Sequence, residues 1–152
     1  MQNPVTLEGF IQVAVVVEDI EKALDAWCEV FGVPRPKVRI TEPTPNPHET
    51  YRGQTAAYGL KLAVLDCRTR GFVVELHEPD ERPSTFREFL DKHGNGVHHL
   101  GFQVGDARDA VVGELESAGY VLRTVGVYDD GSWTIVDAEE SLGVNLNIKP
   151  HA

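Results

Sequence analysis

The stretch GNGVHHLGFQVGD, residues Gly94 to Asp106, decides how the rest of the chain is read. Glycines lead into an alternating apolar run, the pattern of a half-buried strand. Adjacent strand side chains point to opposite faces. His98 and His99 stand at the start of this run, so alternation lets only one of them look into a site on that face. Past the run, Asp106 is a candidate helix cap, Val111, Leu115 and Ala118 form one helical stripe, and Gly119 suits the stop.

The same grammar occurs earlier. Phe10–Val17 (FIQVAVVV) reads as a strand and Asp19 as a cap, while Leu24, Trp27, Cys28 and Phe31 share one helical face and Gly32 ends it. Setting Asp19 on Asp106 gives an offset of 87 residues (106 − 19 = 87), which also aligns Gly32 with Gly119. Three strand candidates follow each unit. They are Lys37–Thr41, Tyr58–Asp66 and Phe72–His77 in the first, and Tyr120–Val127, Ser132–Val136 and Val144–Lys149 in the second. The expectation is an α+β protein: two βαβββ modules, at about 8–79 and 95–150, in one domain over residues 1–152. Between them, Thr85 and Glu88 read as a capping box, with Phe86, Phe89 and Leu90 as the apolar stripe of a short linker helix that stops at Gly94. The proline-rich TEPTPNPHETYRG is the least regular part of the chain.

Alternation also separates two faces of the strands. Val13, Val15, Val17, Leu100, Phe102, Val104, Phe72, Val74, Leu76, Val144, Leu146 and Ile148 make a wholly apolar face, expected to pack under the helices. The opposite face holds Gln12, Ala14, Val16, His99, Gly101, Gln103, Val73, Glu75, His77, Asn145, Asn147 and Lys149. Burying so many polar groups without partners is costly, so this face suits a sheet curved around a wet or ligand-filled hollow. His99 is expected on the hollow side and His98 toward the core side or its rim. The repeat makes Gln12 equivalent to His99, and Glu75 equivalent to Asn147 (147 − 75 = 72). These four side chains offer three oxygen donors and one imidazole, a set suited to a divalent metal with open positions. The small lining residues Ala14, Val16, Gly101 and Val73 leave room for a ligand, with Tyr58 and Trp133 as candidate aromatic walls.

Bulk properties narrow the classes. The net charge of -10, from 24 acidic and 14 basic residues, argues against nonspecific nucleic-acid binding. Two distant cysteines, Cys28 and Cys67, suggest neither a disulfide framework nor a thiolate metal site. No run approaches the ~20 apolar residues of a membrane span, and MQNPVTLEGF lacks the pattern of a secretion signal. A soluble cytoplasmic protein with no membrane partner is expected.

The doubled βαβββ plan, with VAVVVEDIEKALDAW, VVELHEP, GNGVHHLGFQVGD and GSWTIVDAEESLGVNLNIKP, resembles the vicinal oxygen chelate superfamily of glyoxalases, bleomycin resistance proteins and dioxygenases. The resemblance covers nearly the whole chain and is nearest the methylmalonyl-CoA epimerase and glyoxalase I branch. It implies a curved mixed sheet around a central cavity, a small-molecule substrate and a homodimer. It also implies a divalent metal ion (Ni, Co, Mn, Zn or Mg) held at positions that fall on Gln12, Glu75 and His99. The fourth position falls on Asn147, where similar enzymes carry a Glu that also takes part in proton transfer.

The implied reaction is metal-assisted proton transfer next to a carbonyl of a small substrate or thioester, the work of a lyase or isomerase. The alternative, resting on Asn147, is a metal-free small-molecule binding or resistance protein of the same fold. An amide is no base at neutral pH, so the base must come from elsewhere. The candidates are His77, two positions from Glu75 on the same face, and Glu49 in the proline-rich loop. Tyr51, Arg52 and Asn147 are candidate substrate-binding residues, Arg offering a bidentate fork to a carboxylate or phosphate. Ring-cleaving dioxygenase chemistry fits less well, because Gln12 stands where its first histidine should be.

Overall fold

The first strand, β1 (Phe10–Val16), ends where Asp19 takes over as helix cap. The Asp19 carboxylate accepts the orphan N–H groups of Glu21 and Lys22, both at 3.1 Å, which starts α1 (Ile20–Phe31). Gly32 closes it in the left-handed conformation, φ 63°. The computed structural model describes residues 3–43, 48–128 and 131–151. Three strands complete the first half: β2 (Arg39–Thr41), then, after the hairpin β3 (Thr50–Tyr51) and β4 (Gln54–Thr55), β5 (Leu60–Cys67) and β6 (Phe72–Pro79). Positions 44–47 of the proline-rich loop lie outside the described residues.

The linker helix α2 (Thr85–His93) starts one residue before the expected capping box. Ser84 is its cap, accepting from the Arg87 N–H at 2.9 Å. The second half follows as β7 (Gly96–Gln103), α3 (Arg108–Ser117), β8 (Val121–Tyr128), β9 (Gly131–Asp137), the short α4 (Glu139–Leu142) and β10 (Asn145–Lys149). Asp106 is not the cap of α3. It sits in a 3-10 turn, Gly105–Ala107, and the helix begins behind Ala107 with no side-chain cap bond.

All ten strands form one sheet in the order β2-β5-β6-β1-β7-β10-β9-β8-β3-β4. Apart from β3 and β4 at one edge, the strands mirror each other four to a side about the antiparallel β1/β7 seam. Each seam strand runs parallel to the last strand of its own half, β1 to β6 and β7 to β10. Register bears out the internal repeat. The pairs Gln12–Gly101 and Ala14–His99 exchange under the offset of 87 (99 − 12 and 101 − 14). The pair Gln12–Val73 maps onto His99–Asn145, with 145 − 73 = 72 matching the spacing from Glu75 to Asn147. The irregular loop adds something unforeseen: its β3/β4 hairpin extends the far edge of the second half through β8.

Two apolar clusters cover the expected face. Under α1 lie Val17, Ile20, Leu24, Ala63, Leu65 and Leu76. Under α3 lie Phe102, Val111, Val112, Leu115, Leu146 and Ile148. The third cluster is on the other side. There Phe86, Phe89 and Leu90 of α2 pack with Val16, Tyr58 and Leu60. Fully buried rings such as Tyr58 and Phe86 each contribute about 1.5–3 kcal/mol of transfer free energy, so α2 is held firmly over this face. The small residues therefore do not leave an open hollow as expected. Val16 is roofed by the α2 cluster, and Gln12 lies across Gly101, where an added Cβ would come within 2.7 Å of the Gln12 Cβ. Gln103, expected in the hollow, is exposed at the strand end.

Candidate functional site

The seam strand β7 carries one residue too many. Ala14 pairs with His99 but Val15 pairs with Val97, so the register slips between them. Such a β-bulge re-aims side chains by interrupting alternation. His98 and His99 therefore do not part company. Both are buried, at 0% and 1% exposure, and their Nδ1 atoms stand 2.8 Å apart. Both rings lie near Phe86, with centroids at 4.9 and 6.3 Å, and His98 also meets Phe89 at 5.3 Å. His98 thus packs under α2 and not toward the core beneath α1 and α3, a correction that the bulge explains.

Two rungs of the sheet bring the remaining polar groups together. On one rung, Ala14 is flanked by Glu75 on β6 and His99 on β7. On the next, Gly101 is flanked by Gln12 and Asn147. Gln12 crosses Gly101, and its Oε1 accepts from the Asn147 amide nitrogen at 3.2 Å. Asn147 Oδ1 in turn accepts the Thr134 N–H at 2.9 Å. Gln12 also hydrogen-bonds Glu75, whose Oε2 accepts from His77 Nε2 at 3.0 Å. The His77 ring meets His99 edge-on at 5.8 Å. Gln12, Glu75, His77 and Asn147 form one connected network, and His99 adjoins it.

Burial pushes the Glu75 carboxyl up, but the His77 hydrogen bond and charge, Lys149 and Gln12 together hold it below the usual carboxylate range. It is an anion. Burial, with His98, His77 and Lys149 nearby, holds His99 well below its ordinary value. Burial and the neighbouring His77 push His98 down to about 3, against the opposing pull of a Thr85 hydrogen bond and Asp137. Both rings of the pair are neutral at pH 7. Lys149 is lowered by burial, partly offset by Glu75, and donates to the Ser132 carbonyl at 2.8 Å. Among the described residues, three buried side-chain atoms lack a partner: His77 Nδ1, His99 Nε2 and Thr134 Oγ1. Two of these are imidazole nitrogens of the site.

For a cation, the donor types are present in Glu75, His99 Nε2 and Gln12 Oε1, with a single formal negative charge among them. Among the described residues no three His, Cys, Asp or Glu are grouped so as to hold a metal ion. The set reaches three donors only through the Gln12 amide. Its donor chemistry fits a weakly held divalent ion.

The other candidates are placed differently. Glu49 is buried and accepts the Tyr58 N–H at 3.2 Å; burial raises its carboxyl, against that hydrogen bond. Tyr58 and Trp133 do form an aromatic wall, with ring centroids 6.4 Å apart and Trp133 Nε1 donating to the Tyr58 oxygen at 3.0 Å. Arg52, at φ 53°, and Tyr51 both grip a carboxylate, but it is the protein's own Glu88, at 2.6 and 2.5 Å. A cavity of about 960 Å³ is lined by Thr85, Glu88, Lys92, Arg123, Glu139 and Asn145 among others, and by none of Gln12, Glu75, His77, His99 or Asn147. It reaches the site at Asn145, the strand partner of His99, and at Thr85, whose hydroxyl lies 3.2 Å from His98 Nε2. Sequence reasoning missed His98, Thr85 and Phe86 as parts of the site. The available signal was two adjacent histidines following Gly-Asn-Gly, a place where regular alternation is easily broken.

No curated protein sequence matches this chain. Among solved structures it is similar to methylmalonyl-CoA epimerase from Mycobacterium tuberculosis, at 22% identity and TM-score 0.62, covering 100% of this chain and 92% of the other. A Streptomyces coelicolor methylmalonyl-CoA epimerase variant in complex with 2-nitronate-propionyl-CoA is similar at 18% identity and TM-score 0.59, covering 97% and 99%. A mutant 4-hydroxymandelate synthase from Streptomyces coelicolor is similar at 17% identity and TM-score 0.58, covering 94% of this chain and 49% of its own. At these identities the likeness establishes the fold, a curled mixed sheet of the glyoxalase type. A family model matches residues 11–136, and with it the chain belongs to the Glyoxalase/Bleomycin resistance protein/Dioxygenase superfamily.

Proposed function

We propose that this protein is a lyase or isomerase that moves a proton next to the carbonyl of a small substrate or thioester. The observation that carries this reading is the part-buried Glu75–His77 pair beside His99, with an imidazole nitrogen unpartnered on each ring. Glu75 pairs with His77 Nε2, which leaves Nδ1 as the ring atom placed to exchange a proton. A carboxylate holding an imidazole in one tautomer is the arrangement by which many enzymes orient a general base. Glu49, its carboxyl raised by burial, is the second candidate for proton transfer. Asn147 cannot exchange a proton at neutral pH; its amide instead fixes Gln12.

A divalent ion (Ni, Co, Mn, Zn or Mg) would be held by Gln12, Glu75 and His99, and when bound would stabilise the negative charge that develops on a carbonyl oxygen. Tyr51 and Arg52 would take an anionic substrate group in exchange for Glu88. The thioester part of the reading is supported by the similar epimerase whose bound ligand is 2-nitronate-propionyl-CoA. The protein is taken to act as one domain over residues 1–152, as a homodimer in the cytoplasm, without nucleic-acid or membrane partners. Light scattering tests the dimer.

A second reading is a metal-free binding protein. It is favoured by the bonds from Asn147 to Gln12 and from His77 to Glu75, which satisfy these groups without an ion. Metal analysis of protein purified without chelator separates the two. A stoichiometric ion, lost in Glu75→Gln and His99→Ala, together with deuterium uptake from solvent into a carbonyl substrate, supports the enzyme. No affinity for any of the five ions sinks the metal-assisted reading.

A further inference from the structure

We infer that His98, anchored at Thr85, is a positioning residue that fixes the tautomer of His99, so that His99 Nε2 presents a lone pair. This builds on the reading of His99 as a donor atom, yet it concerns the ring proton, which is measurable with no metal or substrate present.

The protons on the two rings can be counted. Two Nδ1 atoms 2.8 Å apart require one N–H and one lone pair between them. Both rings are fully buried against the Phe86 and Phe89 rings, and among the described residues neither is hydrogen-bonded to a carboxylate that would hold a second proton, so each carries a single proton. Only two arrangements remain. If His98 keeps its proton on Nδ1, His99 must carry its own on Nε2, a buried donor with no acceptor among the described residues. Orphaned buried N–H groups are the rarer and costlier kind. In the other arrangement His99 donates from Nδ1 to His98 Nδ1, and His98 donates from Nε2 to Thr85. That donor finds oxygen waiting: the Thr85 hydroxyl at 3.2 Å, with a further bond to the Thr85 main chain. The unpartnered atom is then a lone pair on His99 Nε2, ready to accept a cation or a proton.

The surroundings hold this arrangement in place. The His98 ring packs against both Phe86 and Phe89 of α2, at 4.9 and 5.3 Å. Thr85 opens α2 directly behind the Ser84 cap, so its oxygen atoms are fixed by the start of the helix. At 0% exposure the His98 ring is shielded from bulk water. The charged or titratable groups near His99 are His77, Glu75 on the far side of Ala14, and Lys149. Ligating histidines are generally fixed by a partner on their other nitrogen, often a carbonyl or carboxylate. Here the partner is a second histidine.

The test is a long-range proton–nitrogen NMR correlation of the imidazoles in the ¹⁵N-labelled full chain, without added metal, at pH 7. Assignments come from His98→Phe and His99→Gln. The expected spectrum has a protonated Nδ1 and bare Nε2 for His99, and the reverse for His98. His98→Phe keeps a ring between Phe86 and Phe89 but offers no acceptor, so His99 should move to a tautomer average or to a protonated Nε2. His98→Gln, with an amide oxygen, should restore the original form. A protonated His99 Nε2 in the unmodified protein overturns the inference, as does an unchanged His99 in folded His98→Phe. If His98→Phe does not fold, the unmodified spectrum still decides. Zinc titration supplies a second readout: about 10–100-fold weaker binding in His98→Phe, recovered in His98→Gln, supports the inference, and unchanged affinity overturns it. If the unmodified chain binds no ion, the metal-assisted reading fails, while the ring spectra still judge the tautomer.

Discussion

β1 and β7 occupy equivalent places on the two sides of the seam, yet they treat their polar residues differently. On the Gly101 rung Gln12 lies flat across the missing side chain and meets Asn147, which is itself held by the Thr134 N–H. That rung is saturated. On the equivalent rung the residue is Ala14, and His99 stands beside it with Nε2 unpartnered. One methyl group separates the two floors. A closed hydrogen-bond chain builds structure, and a buried nitrogen left open is where a ligand finds work. Both strands carry an extra residue at equivalent places, Ile11 on β1 and His98 on β7, but β1 leaves Ile11 half-buried while β7 buries His98 together with His99.

Acid should break the histidine rung first and hardest. Unfolded His98 and His99 take up protons below about pH 6.5, whereas folded His98 does so only near 3 and folded His99 well below 6.5. The unfolded state therefore binds more protons in that window, and stability falls as pH drops through it. The expected loss approaches about 1.4 kcal/mol per pH unit for each ring. Urea midpoints between pH 7 and 4 measure it, and His98→Phe should remove about half the slope. A flat profile would mean that these rings are not held neutral.

The saturated rung is tested by Gly101→Ala. Its Cβ would press on Gln12, so overpacking should cost about 1–3 kcal/mol, read as a lower melting temperature. Ala14→Gly, on the open rung, should instead cost roughly 0.5–1 kcal/mol from strand entropy. Equal losses would erase the distinction drawn between the rungs.

Asn147→Glu sharpens the comparison by placing a second carboxylate beside Gln12. Without metal it should destabilise the chain through an extra buried charge, and it should tighten divalent-ion binding at least about tenfold by doubling the site charge. Isothermal titration checks the affinity. The smallest effect is expected at the exposed Arg52–Glu88 pair, where Arg52→Ala should change stability by no more than about 1 kcal/mol. A much larger loss would show that the hairpin is fixed through this contact.

Much of the molecule was legible before its structure. Asp19 caps α1 and Gly32 ends it because both signals act within a turn of the chain. The offset of 87 residues reappears as strand register across the seam. Gln12, Glu75, His77 and Asn147 share a network because the period of two is local to each strand. Local cues misled where a partner intervened. Asp106 has the chemistry of a cap, but a 3-10 turn occupies its place. Tyr51 and Arg52 have the chemistry of an anion clamp, but a glutamate of α2 fills it.

The sequence by itself therefore determined the doubled topology, the apolar face under the helices, and the polar positions that face the other way. These follow from periodicity and capping, which need only neighbouring residues. Only the tertiary structure decided that α2 lies over the polar face and that His98 joins His99 beneath it. A bulge exists only in the pairing of two strands, and β1 and β7 are distant in sequence. Which way GNGVHHLG turns its histidines is settled by Ala14 and Val15 across the seam and by Phe86 above it.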